Sequence, residues 1–258
     1  MITSVNNSNI KKVVELRDKS RARKKYGLFI AEGLRECMEL PYNQIEKVYV
    51  SEGFAKASLS DIEFLRDKTE MVSDNVFKYM SGTNTPQGII GIAKIFTYNI
   101  EDFLDGDLYM ILENIQDPGN LGTIIRTAEA AGVKLIIMSE DTVDMYNPKV
   151  VRATMGGIFR MPCVYSKNLH KDIKLLKSKG IKVYAAHLKG KKSYIECDYD
   201  KGAAFMIGNE GNGLREETAE LASEYIRIPM MGKTESLNAA VSASILMYNY
   251  RINRNNPY

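Results

Sequence analysis

Short apolar runs alternate with amphipathic segments along this chain, and glycines or polar turns separate them. In the N-terminal part the two periodicities predict helices over residues 9–24, 34–40 and 74–80, and strands over residues 28–31, 45–50 and 88–95. This order predicts a small α/β sandwich.

The alternation resumes after a polar stretch at residues 97–107. It predicts strands over residues 108–112, 135–138, 183–186 and 203–207, and helices over residues 121–131, 149–155, 169–179 and 237–252. Apolar strands separated by helices are typical of a parallel sheet that helices cover on both faces. The sequence therefore predicts two α/β domains, over residues 1–97 and 107–258, joined by a linker over residues 98–106.

Composition excludes several classes of protein. No apolar run in the 258 residues approaches the ~20 residues of a membrane span, and the N-terminus lacks the apolar core of a signal peptide. We therefore expect a cytoplasmic protein that does not associate with a membrane. Cys37, Cys163 and Cys197 lie far apart, and with only two histidines they form neither a disulfide framework nor a zinc spacing. No metal is expected.

The net charge of +3 is unevenly distributed. Residues 98–258 hold 20 Lys/Arg and 20 Asp/Glu, whereas residues 1–97 hold 15 and 12. The first 25 residues hold 8 basic groups against Glu15 and Asp18. Such a run is either a solvated helix face or a surface that neutralises the phosphates of a nucleic acid.

Three glycine-containing patches in the C-terminal half carry polar residues that the apolar segments around them do not need for folding. They are NIQDPGNLGTIIRTAEAAG (114–132), FMIGNEGNGL (205–214) and IRIPMMGKTESLNAAVSASILMYN (226–249). The first two follow predicted strands, so they should open at the carboxyl edge of the sheet, where α/β domains bind ligands. The patches predict a ligand site built from several loops.

The first patch combines a turn with an unusual arginine. Asp117 and Pro118 fix the turn, and Asn120 is a candidate helix cap. Arg126 lies in the helical segment that follows, where an apolar residue would pack more easily. A buried or cleft arginine usually has a phosphate or carboxylate partner, which makes Arg126 a candidate functional residue.

The other two patches do not fit a dinucleotide site. Glycines 208, 211 and 213 lack the dinucleotide spacing, and no phosphate-loop lysine is present. The Glu210 carboxylate would repel a pyrophosphate but not a phosphate-free adenosyl ligand. In the third patch Ser236 is a good helix N-cap, and Asn238 would lie in the first helical turn, beside free backbone donors.

Together the three patches resemble the signature motifs of the SpoU/TrmH-type SPOUT RNA 2′-O-methyltransferases. The resemblance implies a C-terminal SPOUT domain with a parallel sheet and a trefoil knot, and a homodimer. It implies that S-adenosylmethionine donates a methyl group to a ribose 2′-hydroxyl of RNA. The family usually has valine and serine or similar residues after the Ser-Leu-Asn triplet, whereas Ala239 and Ala240 follow it here. Packing should survive this change, but a serine hydrogen bond would be absent.

The resemblance also assigns roles to residues. The implied catalytic residues are Asn114, Arg126, Glu210, Ser236 and Asn238, and the main chain around Gly208, Ile228 and Leu237 should hold the cofactor. A guanidinium has a pKa above ~12 and is ordinarily never deprotonated in a protein. We therefore predict that Arg126 binds the phosphate next to the target and lowers the pKa of the hydroxyl, while its action as the base stays an open alternative.

The N-terminal part is similar to the substrate-binding domain that precedes the catalytic domain in many family members, through YGLFIAEGLRECMEL (26–40) and PQGIIGIAKI (86–95). Beside an RNA-modifying domain we prefer RNA contact, with rRNA the implied substrate, for the basic residues Lys19, Arg21, Arg23, Lys24, Lys25 and Arg35. One alternative is a non-catalytic RNA-binding or ribosome-assembly protein that keeps the fold. A nucleotide-dependent oxidoreductase is disfavoured by the glycine spacing.

Overall fold

The computed structural model describes residues 1–199 and 201–255, except for the side chain of Asn255. The chain divides into two compact units. The first contains Met1–Phe96 and Asp144–Phe159, and the second contains Thr97–Val143 and the chain from Arg160 onward. The sequence pattern alone placed residues 144–159 with the C-terminal domain.

The first unit is built on a four-stranded sheet with the strand order β1-β4-β2-β3. Strand β4 is antiparallel to both of its neighbours, and β2 is parallel to β3. The elements are α1 (Ser8–Asp18), α2 (Ser20–Tyr26), β1 (Leu28–Glu32), α3 (Leu34–Glu39), β2 (Ile45–Ser51), α4 (Glu52–Ser58), β3 (Thr69–Val72), α5 (Asp74–Met80) and β4 (Ile89–Lys94).

The prediction of one helix over residues 9–24 is wrong at one position. Lys19 has an extended backbone (φ −121°, ψ 115°), which ends α1 and starts α2. Helix α4 and strand β3 were not predicted, because both are short and β3 has a single buried residue, Val72.

A predicted RNA-contacting residue, Arg23, is buried in the first unit. Its side chain is 4% exposed; it forms an ion pair with Asp144 (Nη2 to Oδ2, 2.7 Å) and donates from Nη1 to the carbonyl of Leu16 (2.6 Å). These contacts satisfy the buried charge and tie α1 and α2 to the segment Asp144–Phe159. The guanidinium is therefore unavailable to RNA, and Arg23 has a structural role instead.

Aromatic rings hold the segment Asp144–Phe159 in the first unit. The ring of Phe29 lies 4.6 Å from that of Tyr146 and 6.3 Å from that of Phe159, between centroids. The Tyr146 hydroxyl also accepts the backbone N–H of Phe96 (2.9 Å). These contacts connect residues far apart in sequence, which explains why local patterns did not reveal them.

The second unit contains a seven-stranded sheet with the order β7-β6-β5-β10-β8-β11-β9, and every pairing in it is parallel. This confirms the predicted parallel sheet. Its elements are β5 (Leu108–Leu112), α6 (Pro118–Ala130), β6 (Leu135–Ser139), β7 (Cys163–Ser166), α8 (Leu169–Ser178), β8 (Lys182–Ala186), β9 (Lys192–Ser193), β10 (Ala203–Ile207), α9 (Glu216–Ala219), β11 (Glu224–Arg227) and α10 (Ala239–Asn255); α7 (Pro148–Ala153) lies in the first unit.

Helices cover both faces of this sheet. Along β10, Met206 packs into the cluster that contains Ile173 of α8. Because side chains alternate along a strand, Phe205 points to the opposite face. There its ring lies 5.8 Å from that of Tyr199, which contacts Tyr250 of α10. No helix in the described part of the chain is long and apolar enough to span a bilayer.

Two helix starts differ from their predicted caps. The Asp117 side chain, rather than that of Asn120, caps α6 by accepting the N–H of Asn120 (2.8 Å). Helix α10 begins at Ala239, where the Asn238 side chain accepts the N–H of Ala240 (2.9 Å). Ser236 is therefore not the cap of α10, because the helix starts three residues beyond it.

Candidate active site

A cavity of about 310 Å³ opens at the carboxyl ends of β8, β10 and β11. The loops that follow these strands line it, together with the start of α10. Six of the eight predicted catalytic and cofactor residues contribute to its wall: Gly208, Glu210, Ile228, Ser236, Leu237 and Asn238. The second and third sequence patches therefore converge on one pocket.

Glu210 connects the cavity wall to the first patch. Its carboxylate accepts the backbone N–H groups of Gln116 (3.2 Å) and Asp117 (3.1 Å) and the side-chain amide of Asn120 (2.9 Å). Helix α6 begins at Pro118, so Glu210 places a negative charge at the N-terminal end of α6, where the helix dipole favours an anion.

These contacts decide the charge of Glu210. Burial alone raises the pKa of its carboxyl, but the hydrogen bond from Asn120 and those from backbone N–H groups together lower that pKa below the ordinary value. Glu210 is therefore a carboxylate at neutral pH. A general base would need a pKa near the working pH, so the geometry favours a structural role for this group.

Asn114 lies beside the cavity wall in an unusual conformation. Its φ of 55° is in the left-handed region, which asparagine adopts more readily than most residues. Its N–H donates to Ser139 Oγ (2.8 Å), its carbonyl accepts from the Asn209 amide (2.9 Å), and its side chain is hydrogen-bonded to Gln116. The first and second patches therefore hold this backbone in place.

A hydrogen bond between two asparagine side chains links α6 to the start of α10. The Asn238 amide donates to the side-chain oxygen of Asn120 (2.8 Å), and Asn120 in turn donates to Glu210. One hydrogen-bonded chain thus joins all three sequence patches through a side chain that was predicted only as a helix cap.

The loop at residues 228–237 has free main-chain groups. Among the residues that the structure describes, no backbone hydrogen bond satisfies its N–H or C=O groups. Ile228 and Leu237, which were predicted to bind the cofactor through their main chain, both belong to this loop. Since backbone polar groups require partners, these groups are available to water or to a ligand.

Arg126 differs from the other predicted residues. It lies on the exposed side of α6, and within residues 1–199 and 201–255 its guanidinium has no hydrogen-bond or ion-pair partner. It does not line the cavity of its own chain. The expectation of a buried or cleft arginine is not met within one chain.

Sequence reasoning missed a polar network next to Asn114. Glu113 is 1% exposed and accepts from the backbone N–H of Arg215 (2.8 Å) and from the Thr218 hydroxyl (2.6 Å). The Arg215 guanidinium also pairs with Asp141. A lone acid directly after a buried strand was the available signal, because a buried carboxylate requires partners.

The basic residues of the first unit are mostly exposed, as RNA contact requires. Arg21, Lys24 and Lys25 lie on the surface of α2, and no ion pair among described residues engages them. Lys19 forms an i,i+4 ion pair with Glu15 (3.2 Å). Arg35 is also exposed and pairs with a glutamate one turn later on α3 (3.1 Å).

In this parallel α/β domain three loops surround a cavity at the carboxyl edge of the sheet, which is the arrangement of a domain that binds a small ligand there. Known protein families that match this chain define the class of ligand-binding domain further. The SpoU rRNA methylase family matches residues 107–248, and the MRM3-like substrate binding domain matches residues 7–91. The chain belongs to the SpoU rRNA methylase family, which confirms the predicted family.

Individual relatives match over nearly the whole chain. The chain is 32% identical to the 23S rRNA (guanosine(2553)-2′-O)-methyltransferase RlmP of Bacillus subtilis, over 97% of this chain and 98% of the relative. The crystal structure of an AdoMet-bound rRNA methyltransferase from Sinorhizobium meliloti has a TM-score of 0.87 at 31% identity and covers 98% of this chain and 97% of its own. An RNA 2′-O ribose methyltransferase structure has a TM-score of 0.82 at 28% identity, covering 98% of each chain. The predicted α/β fold class, a SPOUT domain with a parallel sheet preceded by a small α/β domain, is confirmed.

Proposed function

We propose that the protein transfers a methyl group from S-adenosylmethionine to a ribose 2′-hydroxyl of rRNA. A relative that matches nearly end to end is named a 23S rRNA 2′-O-methyltransferase, and a similar structure, named as an rRNA methyltransferase, contains bound AdoMet. The observation that carries the proposal is the convergence of the second and third patches on one cavity, with the first patch joined to them by the hydrogen bonds of Asn120 to Glu210 and Asn238.

The cavity fits the adenosyl cofactor. Its volume of about 310 Å³ lies within the usual range for ligand pockets, and the free main-chain groups at residues 228–237 can read the edges of adenine. Dinucleotide folds place a phosphate at the N-terminus of the helix after the first strand. Here the Glu210 carboxylate occupies that position on α6, which argues against the oxidoreductase alternative. In the described part of the chain, no cluster of His, Cys, Asp or Glu is placed to hold a metal ion.

The chemistry requires little of the protein beyond positioning. The ribose oxygen forms a bond to the methyl carbon while the carbon–sulfur bond of the sulfonium breaks, leaving a neutral thioether and releasing the hydroxyl proton. Asn114, Ser236 and Asn238 shape the site around the ribose. Arg126 binds the neighbouring phosphate and stabilises the negative charge that develops on the oxygen, with water or Arg126 itself as the proton acceptor.

A homodimer explains how Arg126 reaches a cofactor. Arg126 is exposed and does not line the cavity of its own chain, so a second copy would supply it. Val241, Tyr248 and Ile252 are 46%, 46% and 61% exposed on α10, and their spacing puts them on one face of the helix. An exposed apolar stripe of this kind is typical of an interface.

The remaining assignments belong to the same proposal. Residues 1–97 together with Asp144–Phe159 form the rRNA-docking domain, residues 98–106 the linker, and residues 107–143 with the chain from Arg160 onward the methyltransferase domain with the trefoil knot. Lys19, Arg21, Lys24, Lys25 and Arg35 contact RNA phosphates, because their side chains are exposed on the first unit. An rRNA substrate implies a cytoplasmic protein.

Two measurements test the proposed function. Isothermal titration should detect S-adenosylmethionine binding with one site per chain. Mapping of 2′-O-methylated nucleotides in rRNA, with and without the gene, should reveal one position that loses its methyl group. Cofactor binding without a lost position would remove rRNA as the substrate, and absence of both would favour the non-catalytic alternative.

Replacing Glu210 by glutamine should weaken S-adenosylmethionine binding about tenfold, because the amide has one acceptor oxygen where the carboxylate uses two. The lowered pKa of Glu210 also fixes the direction of the pH dependence. Because the pKa of Glu210 is lowered, its stabilising contribution is complete above the ordinary glutamate pKa of about 4.3 and is lost as the pH falls through the lowered value.

Titration between pH 7 and pH 4.5 should therefore give a wild-type Kd for the cofactor that does not change through protonation of Glu210. The variant should show its deficit across the whole range. Glu220→Gln is the matched control, since Glu220 is exposed and its side chain has no hydrogen-bonded partner in residues 1–199 and 201–255. Equal Kd values for the two variants would contradict the role of Glu210.

A further inference from the structure

The catalytic half of the chain has two lysine-rich segments, residues 167–179 and 182–192. In the second, Lys182, Lys189 and Lys192 form ion pairs with carboxylates, so the first is the one whose charge the structure leaves open. Residues 167–179 hold five lysines and one aspartate, whereas the other residues of 98–258 hold 15 basic and 19 acidic groups. The segment contains α8, the two residues before it and Lys179 after it. The segment therefore carries a net positive charge in a half whose other residues are net acidic.

Helix α8 presents these lysines to solvent on the face opposite the core. Leu169, Ile173 and Leu176 are buried against the sheet. Lys171 and Lys174 are exposed and three residues apart, and Lys167 precedes them by one turn. We call Lys167, Lys171 and Lys174 the α8 lysine face.

Within the described chain, none of the three lysine side chains has a hydrogen-bond or ion-pair partner. Lys177, in contrast, donates to the carbonyl of Leu221 (2.8 Å), and the single acid of α8, Asp172, is hydrogen-bonded to Ser166. No local carboxylate neutralises the α8 lysine face. Its charge is available to an anionic partner.

A second cavity, of about 450 Å³, lies next to this face at the carboxyl ends of β5, β6 and β7, and Lys167 is part of its wall. Its wall also contains Glu140 and Glu217, which are exposed and have no ion-pair partner among the described residues. These carboxylates would repel a phosphate inside the cavity. A polyanion would therefore follow the lysines along the outside of α8.

We propose that the α8 lysine face is a second RNA-binding surface, which holds phosphates of the rRNA substrate on the methyltransferase domain itself. This inference rests on the proposed function and adds a contact surface outside the N-terminal domain. RNA is the occupant that the charge favours, because three unpaired lysines along one helix face suit a continuous row of phosphates and not a single anion.

The test compares Lys171→Gln/Lys174→Gln with Lys191→Gln/Lys201→Gln. Both double variants remove two exposed charges from the same half of the chain, and Lys191 and Lys201 lie outside the α8 lysine face and have no ion-pair partner in the described chain. The probe is unmodified large-subunit rRNA made by in vitro transcription, and its Kd is measured as a function of salt concentration.

For the α8 variant we expect the Kd to rise roughly tenfold and the slope of log K against log salt to become less negative by about 1 to 2, because each phosphate contact contributes about 0.7 to 0.9. The control should change neither by more than the general loss of charge. S-adenosylmethionine affinity and thermal melting should stay at wild-type values in both variants.

An α8 variant whose Kd and salt slope equal those of the control would overturn the inference, whether the face is merely solvated or contacts a protein. The binding assay needs no turnover, so it remains informative if the wild type does not methylate rRNA. Conversely, a wild type that methylates rRNA while the α8 variant binds it normally would reject this surface and leave the proposed function intact.

Discussion

Replacing Arg126 by alanine is expected to lower kcat for methyl transfer by about 10²- to 10³-fold, the usual cost of removing one group that stabilises charge in a transition state. S-adenosylmethionine should bind as tightly as in the wild type, because Arg126 does not line the cavity of its own chain and has no partner among the described residues. Single-turnover methylation at saturating RNA, together with titration of the cofactor, measures both quantities.

Lysine is the informative second substitution at this position. It keeps the charge but not the planar fork that binds a phosphate through two hydrogen bonds, so Arg126→Lys should restore only part of the rate. An alanine variant that turns over like the wild type would remove Arg126 from the mechanism. Weakened cofactor binding in that variant would instead place Arg126 in the cofactor site.

Replacing Gly208 by alanine should weaken S-adenosylmethionine binding by about 100-fold or more. A Cβ atom at this position would lie 2.1 Å from the backbone carbon of Gly213 and 2.2 Å from the backbone nitrogen of Leu214. These atoms cannot rotate away as a side chain can, so the loop that lines the cavity must move. Overpacking of this kind typically costs about 1–3 kcal/mol of stability as well.

Gly211→Ala is the matched control in the same loop. Its Cβ would meet nothing closer than the side-chain oxygen of Asn209 at 3.6 Å, an ordinary contact. Thermal melting and cofactor titration of both variants separate a local from a global effect. If Gly208→Ala binds the cofactor like Gly211→Ala, the loop at residues 207–214 does not form the cofactor site.

The two impaired variants together test the shared site. If Arg126 of one chain acts at the cavity of the other, mixed dimers of Arg126→Ala and Gly208→Ala contain one site with both native residues, and mixing should raise the activity measured at low S-adenosylmethionine. If Arg126 acts within its own chain, every site in the mixture carries one defect and mixing should not raise the activity.

Much of the fold could be predicted because burial follows local pattern. The strands β5, β6 and β10 are buried along their whole length, and apart from Ser139 at the end of β6 each is a continuous apolar run in the sequence. The glycine patches likewise marked where the strands end. The break at Lys19 left no such signal, because neither glycine nor proline marks the single extended residue between α1 and α2.

Only part of the site could be predicted, because local sequence identifies residues but not their partners. Residue types and resemblance identified Gly208, Glu210 and Asn238, and the structure brings them to one cavity. Their partners depend on contacts across the chain: Glu210 accepts from Asn120, which is 90 residues away in sequence. For the same reason the sequence could not show that Arg23 is buried against Asp144, 121 residues away, when its neighbours on α2 are exposed.

The packing of Asp144–Phe159 against the N-terminal sheet has a consequence for the inheritance of this architecture. Part of the N-terminal unit is encoded downstream, between β6 and β7. A recombination event at the linker that exchanged only the first hundred or so residues would leave the new docking module beside a helix selected for another partner. The two halves are therefore expected to descend together, and a chimaera between distant relatives must carry this later segment along with its matching N-terminus.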